Sequence, residues 1–148
     1  MKIDHIAIVV RDLEQAAAFY EKLGFTVGQR FDVHERYPGE EAPHRYRGVI
    51  LRDDASERPV IWLMEPTDEA GPLRYFLERR GPGLHHLGLL TSDIEADART
   101  IQEQGIRFIR PVHDFPEDGE MRALIHPDDG HGVLIELLQR TRKVWGGA

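Results

Sequence analysis

Hydrophobic residues in this chain fall into short bursts whose spacing switches between that of a strand and that of a helix. From Ile3 to Val10 only Asp4 and His5 are polar, and β-branched types dominate, which predicts a buried strand. Asp12 then reads as a helix N-cap, with Gln15 placed to complete a capping box. Leu13, Ala16, Ala17 and Tyr20 follow at helical spacing, and Gly24 is a natural stop. Phe25 to Phe31 predicts a second strand, and residues 34–47, with Pro38, Gly39 and Pro43, a long charged loop. Tyr46 to Arg52 and Pro59 to Glu65 read as two more strands around a polar turn at Asp53 and Asp54. The first unit is therefore β-α-β-β-β.

Pro66 to Pro72 reads as a linker and Leu73 to Arg80 as a short amphipathic helix, ended by Gly81-Pro82-Gly83. The same order then returns. Leu84 to Thr91 predicts a strand, Asp93 caps a helix that runs to Gly105, and Ile106 to Pro111 predicts a strand. Residues 113–119 read as an acidic loop, Glu120 to Ile125 and Val133 to Leu138 as the last strands, and the tail after Gln139 as frayed.

The two series are copies. Asp4-His5-Ile6-Ala7-Ile8 returns as His85-His86-Leu87-Gly88-Leu89, an offset of 81 residues from His5 to His86. The same offset carries Asp12-Leu13-Glu14 onto Asp93-Ile94-Glu95 and Leu23-Gly24-Phe25 onto Gln104-Gly105-Ile106. An internal repeat of this kind governs the architecture. The expected fold is α+β, a single domain over residues 1–148. It comprises a βαβββ module of about residues 1–66, a linker helix in 67–83 and a second βαβββ module in 84–139. The two modules are expected to form a pseudo-twofold cleft, with one histidine from each copy at the axis.

Composition narrows the chemistry. A chain of 148 residues can bury a core of its own. Its formal charge of −7 argues against nucleic acid or an anionic membrane as partner. The absence of cysteine excludes disulfides, thiolate catalysis and zinc–cysteine sites. Neither a signal-peptide pattern nor a membrane-length apolar run is present, so a cytoplasmic location is the expectation.

On a strand, Ile3, His5, Ala7 and Val9 share one face, and so do Leu84, His86, Gly88 and Leu90. Glu136 stands alone in the apolar run Val133 to Leu138, where a carboxylate is costly unless paired or metal-bound. His5, His86 and Glu136 thus form a 2-His-1-carboxylate set suited to one divalent ion, Fe, Co, Ni, Zn or Mn. A lone strand histidine is more often an ordinary hydrogen-bonded residue. Repeat equivalence and the isolated carboxylate bring the metal reading level with that alternative. Parity turns His85 away, and His126 and His131, beside Pro127 and Gly130, read as turn residues.

These residues resemble the vicinal oxygen chelate superfamily, which includes glyoxalases, bleomycin-resistance proteins and ring-cleaving dioxygenases. The strings Asp4-His5-Ile6-Ala7, Leu63-Met64-Glu65-Pro66, Gly83-Leu84-His85-His86 and His126-Pro127 with Gly132 to Leu137 are most similar to the methylmalonyl-CoA epimerases. The resemblance covers roughly residues 3–138 and implies that His5, His86 and Glu136 are metal ligands. It implies an epimerase or isomerase that abstracts a proton next to a metal-chelated carbonyl, in an acyl thioester or a polyhydroxy ketone. The alternatives are a non-haem Fe(II) ring-cleaving dioxygenase and a metal-free small-molecule binding protein. A homodimer acting on a small molecule, with neither nucleic acid nor membrane as partner, is expected.

Three positions depart from the family's pattern. The usual fourth ligand falls on Trp62, which the repeat overlays on Glu136 and which cannot ligate, so three protein ligands are expected. Ring-cleaving members also use three. Arg45-Tyr46-Arg47-Gly48 stands where a carboxylate base is expected, and Asp128 stands where a lysine follows His-Pro. Strand parity puts Tyr46, Gly48, Trp62, Met121 and Ala123 on the metal-facing side, and of these only Tyr46 has a proton to exchange. Tyr46 and Glu136 are therefore the catalytic candidates, against the plainer reading of Tyr46 as a core-edge aromatic. Asp114 and Glu117 are further candidate bases.

Overall fold

A computed structural model describes residues 1–37, 40–41, 43–54 and 60–141. Its elements are β1 (Lys2–Val9), α1 (Leu13–Lys22), β2 (Thr26–Glu35), β3 (His44–Arg52), β4 (Val60–Pro66), α2 (Pro72–Arg80), β5 (Gly83–Leu90), α3 (Ile94–Glu103), β6 (Phe108–Phe115), β7 (Glu120–Ile125) and β8 (Leu134–Arg140). The class is α+β, built from two βαβββ modules. The chain divides into two units, His5–His85, and Met1–Asp4 together with the chain from His86 onward.

In the first unit the strands lie in the order β2-β3-β4-β1. β1 runs parallel to β4, with His5 opposite Val60 and Ala7 opposite Trp62. β3 runs antiparallel to both β2 and β4. Both faces of the central strands are covered, which is why β1 and β4 read as near-continuous apolar runs rather than alternating ones. On one face Val10, Val49, Leu51 and Leu63 pack against Leu13 and Ala17 of α1. On the other, Ala7, Val9 and Met64 pack with Leu73 and Leu77 of α2, flanked by Tyr46, Trp62 and Phe76. Each such large side chain contributes roughly 1.5–3 kcal/mol by leaving water.

The second unit repeats the plan in the order β5-β8-β7-β6. β5 is parallel to β8, with Gly88 opposite Glu136. Ala123, Ile125 and Leu137 form its core with Ile94 of α3. Both long helices start as the sequence predicts, with Asp12 accepting from the Gln15 N–H at 2.9 Å and Asp93 from the Ala96 N–H at 3.0 Å. A second device recurs at these helix starts. The Leu13 N–H donates to Glu65 Oε2 at 2.8 Å, and the Ile94 N–H donates to Gln139 Oε1 at 2.7 Å.

Several boundaries differ from expectation. β2 extends to Glu35 and β3 begins at His44, so the loop expected over 34–47 is shorter. Pro38, Gly39 and residues 55–59, with the predicted strand start at Pro59, lie outside the described residues, as does the tail from 142. β6 begins later and runs to Phe115, through Pro111 and into the expected acidic loop. It is the last strand of its series, where a proline without an N–H is tolerated. Ile3, expected on the buried face, is 47% exposed.

Candidate metal centre

In the first unit His5 is fully buried in β1. The Trp62 ring stacks on it with centroids 4.0 Å apart and planes 6° from parallel. Trp62 does not ligate; it fixes the plane of the imidazole instead. Its indole Nε1 is buried and finds no hydrogen-bond partner among the described residues. Phe31 lies 5.6 Å from Trp62 and edge-on to Tyr46 at 6.3 Å, so Tyr46 belongs to an aromatic wall on the His5 side of the sheet. That wall is possible because Phe31 pairs with Gly48 across the strands and folds over it. His85 is taken up by an edge-on contact with Phe76 of α2 at 5.0 Å.

In the second unit His86 and Glu136 are both buried, with His86 Nε2 3.2 Å from Glu136 Oε2. The other carboxylate oxygen, Oε1, lies 3.7 Å from Arg122 Nε. Arg122 is itself buried, its Nε 3.0 Å from Glu120 Oε2 and a terminal nitrogen 2.9 Å from Asp118 Oδ2. Its guanidinium lies 4.7 Å over the Phe115 ring. Arg140 continues the network, pairing with buried Asp4 at 2.8 Å and approaching Glu120 Oε1 at 3.5 Å. Burial pushes the Glu120 carboxyl above its usual range, helped by the nearby Glu136 charge, while Arg122 and Arg140 oppose the shift.

Two expectations on β7 are corrected. Met121 and Ala123 do not join the Glu136 side; both pack into the core beneath α3. The register puts Leu124 opposite Glu136 and Ala123 opposite Leu137, so Glu120, Arg122 and Leu124 share the Glu136 face. Charged residues at alternate positions of Glu120 to Ile125 were the available signal, but they imitate a solvent face. His126 and His131 lie in the turn before β8, where His126 Nδ1 accepts from the Asp128 N–H at 3.2 Å. Asp114 and Glu117 are exposed.

The donor chemistry fits a borderline divalent ion. A buried imidazole nitrogen and a buried carboxylate oxygen stand at bridging distance, and imidazole with carboxylate is the donor type that Fe, Co, Ni, Zn and Mn share. No helix among the described residues is long and apolar enough to cross a membrane.

Known proteins with this pattern carry the assignment further. Residues 4–124 match the Glyoxalase/Bleomycin resistance protein/Dioxygenase superfamily. The ethylmalonyl-CoA/methylmalonyl-CoA epimerase of Cereibacter sphaeroides is 33% identical over 141 residues, covering 93% of this chain and 97% of the relative. The crystal structure of methylmalonyl-CoA epimerase from Mycobacterium tuberculosis superposes with a TM-score of 0.77 at 31% identity, covering 97% of this chain and 90% of that one. A Streptomyces coelicolor methylmalonyl-CoA epimerase variant in complex with 2-nitronate-propionyl-CoA gives a TM-score of 0.73 at 30% identity, covering 96% and 99%. The chain therefore belongs to the glyoxalase/bleomycin resistance protein/dioxygenase superfamily, and within it sits among enzymes that are epimerases.

Proposed function

We propose that this protein is a metal-dependent epimerase of an acyl-CoA thioester, inverting the carbon next to the thioester carbonyl. The observation that carries the reading is the donor set. His5, His86 and Glu136 are all buried, and within the second unit His86 Nε2 lies 3.2 Å from Glu136 Oε2. With Trp62 in the family's fourth position, the protein supplies three ligands. The ion, when bound, supplies Lewis acidity that makes the carbon next to a chelated carbonyl easier to deprotonate.

The chain's own residues do the rest. Trp62 holds the His5 plane, and Glu136 supplies the negative charge that two neutral imidazoles lack. Tyr46 is the group on the aromatic wall with a proton to pass, at its hydroxyl. The aromatic wall of Phe31, Trp62 and Tyr46 keeps water from that side. A CoA thioester is favoured over a polyhydroxy ketone because epimerases similar to this chain act on malonyl-type CoA thioesters by name.

The test is α-proton exchange. Protein loaded with a defined divalent metal is incubated in deuterated water with methylmalonyl-CoA, and deuterium at the α-carbon is followed by mass spectrometry. Exchange should require the metal and vanish in His86→Ala. Oxygen uptake with a catechol, and no exchange with any thioester, would replace this reading with the dioxygenase.

A further inference from the structure

Arg122 stands out because it is buried, charged and in contact with a proposed ligand, yet absent from the ligand set. It pairs with three carboxylates, Asp118 at 2.9 Å, Glu120 at 3.0 Å and Glu136 at 3.7 Å. Taken with Asp4 and Arg140, four carboxylates meet two guanidiniums.

The two oxygens of Glu136 are already distinguished. Oε2 lies beside His86 Nε2 and Oε1 is turned to Arg122. A carboxylate free to rotate can take a metal with one oxygen or with both. One held by a guanidinium at a single oxygen is left with the other to donate. We propose that Arg122 is a positioning residue of the metal centre, holding Oε1 of Glu136 so that Oε2 alone is presented to the ion. This rests on the metal reading above and adds how the carboxylate ligand is set. Asp118 and Glu120 fix the guanidinium in turn, and the Phe115 ring covers its face. A lysine would keep the charge but lose the planar fork that reaches three carboxylates.

Cobalt(II) is the probe, because its visible absorption weakens as coordination number rises. Full-length wild type, Arg122→Met and Arg122→Lys are titrated with Co(II) against a chromophoric chelator, and their visible spectra are recorded. Both variants should lose affinity, Arg122→Met by about 10–100-fold and Arg122→Lys by less. Both should absorb more weakly, as Glu136 binds through both oxygens. Wild-type affinity and spectrum in either folded variant would overturn the proposal. So would lost affinity with an unchanged spectrum, which assigns Arg122 to charge balance alone. Should Arg122→Met fail to fold by far-UV circular dichroism, Arg122→Lys decides. Failure of the wild type itself to bind Co(II) overturns the metal reading rather than the role of Arg122 within it.

Discussion

An added methyl group at Gly48 has little room. A Cβ built there would lie 2.4 Å from Cζ of Phe31 and 2.9 Å from the carbonyl oxygen of Leu63. The first neighbour is the tip of a side chain and can swing away. The second is backbone in the middle of β4, paired with β3 on one side and β1 on the other, and cannot. Gly48 is not in the left-handed region, so alanine strains nothing in the backbone. It gains about 0.4–1 kcal/mol by restricting the unfolded chain. Against that stand an overpacking cost of about 1–3 kcal/mol and the loss of the Phe31 ring contacts, each worth about 0.5–1.5 kcal/mol. The net for Gly48→Ala is a destabilisation of about 3 kcal/mol, within a span of about 1–5 kcal/mol, or roughly 6–12 °C in Tm for a chain of this length. Thermal denaturation measures the loss, and near-UV circular dichroism should report Phe31 leaving Trp62. A variant melting within about 1 °C of wild type, with an unchanged near-UV spectrum, would refute the account of the aromatic wall.

Three further outcomes are expected. Glu136→Ala should weaken divalent metal binding by more than about 100-fold, beyond the usual cost of an outer partner, as read by chelator competition. Tyr46→Phe should slow α-proton exchange while leaving metal affinity unchanged, and equal exchange rates would remove Tyr46 from the chemistry. Asp129 is held down at about 2, from an ordinary 3.8, mainly by side-chain hydrogen bonds from Arg107. A depressed carboxyl stabilises the fold fully above its unfolded pKa and loses that contribution as pH falls through the folded value. The Tm gap between wild type and Asp129→Asn should therefore be constant from neutral pH to about 4 and close as pH falls towards 2. A gap that persists at pH 2 would show that the Arg107 pair is not its source.

Much of this was legible in the chain. The repeat exposes the module plan, and the apolar setting of Glu136 marks it as exceptional. The Trp62 position was readable because the repeat aligns it with Glu136, and the pairings confirm it, with Ala7 opposite Trp62 and Gly88 opposite Glu136. β7 was misread for a physical reason. Met121 and Ala123 are the buried apolar positions expected of a strand, but a strand alternates faces and the sequence does not reveal which face meets a helix. Here the apolar face meets α3, while the opposite face is buried as well and filled by ion pairs. Buried arginine and glutamate look like solvent residues until their partners, distant in sequence, are placed. The ends of β2 and β6 were missed because charged and proline-bearing segments favour loops in isolation, and pairing with β3 and β7 overrides that preference.

The side chains that receive the first amides of α1 and α3 also bear on how each module folds. Glu65 and Gln139 each lie three residues beyond the repeat positions Trp62 and Glu136. A strand docked one place out of step would turn its Trp62 or Glu136 side chain to the wrong face and also withdraw the acceptor from the waiting helix. An orphaned amide costs about 1–3 kcal/mol, a penalty felt as soon as strand and helix meet. Each module thus carries a local check that rejects a misdocked last strand before any ligand is present.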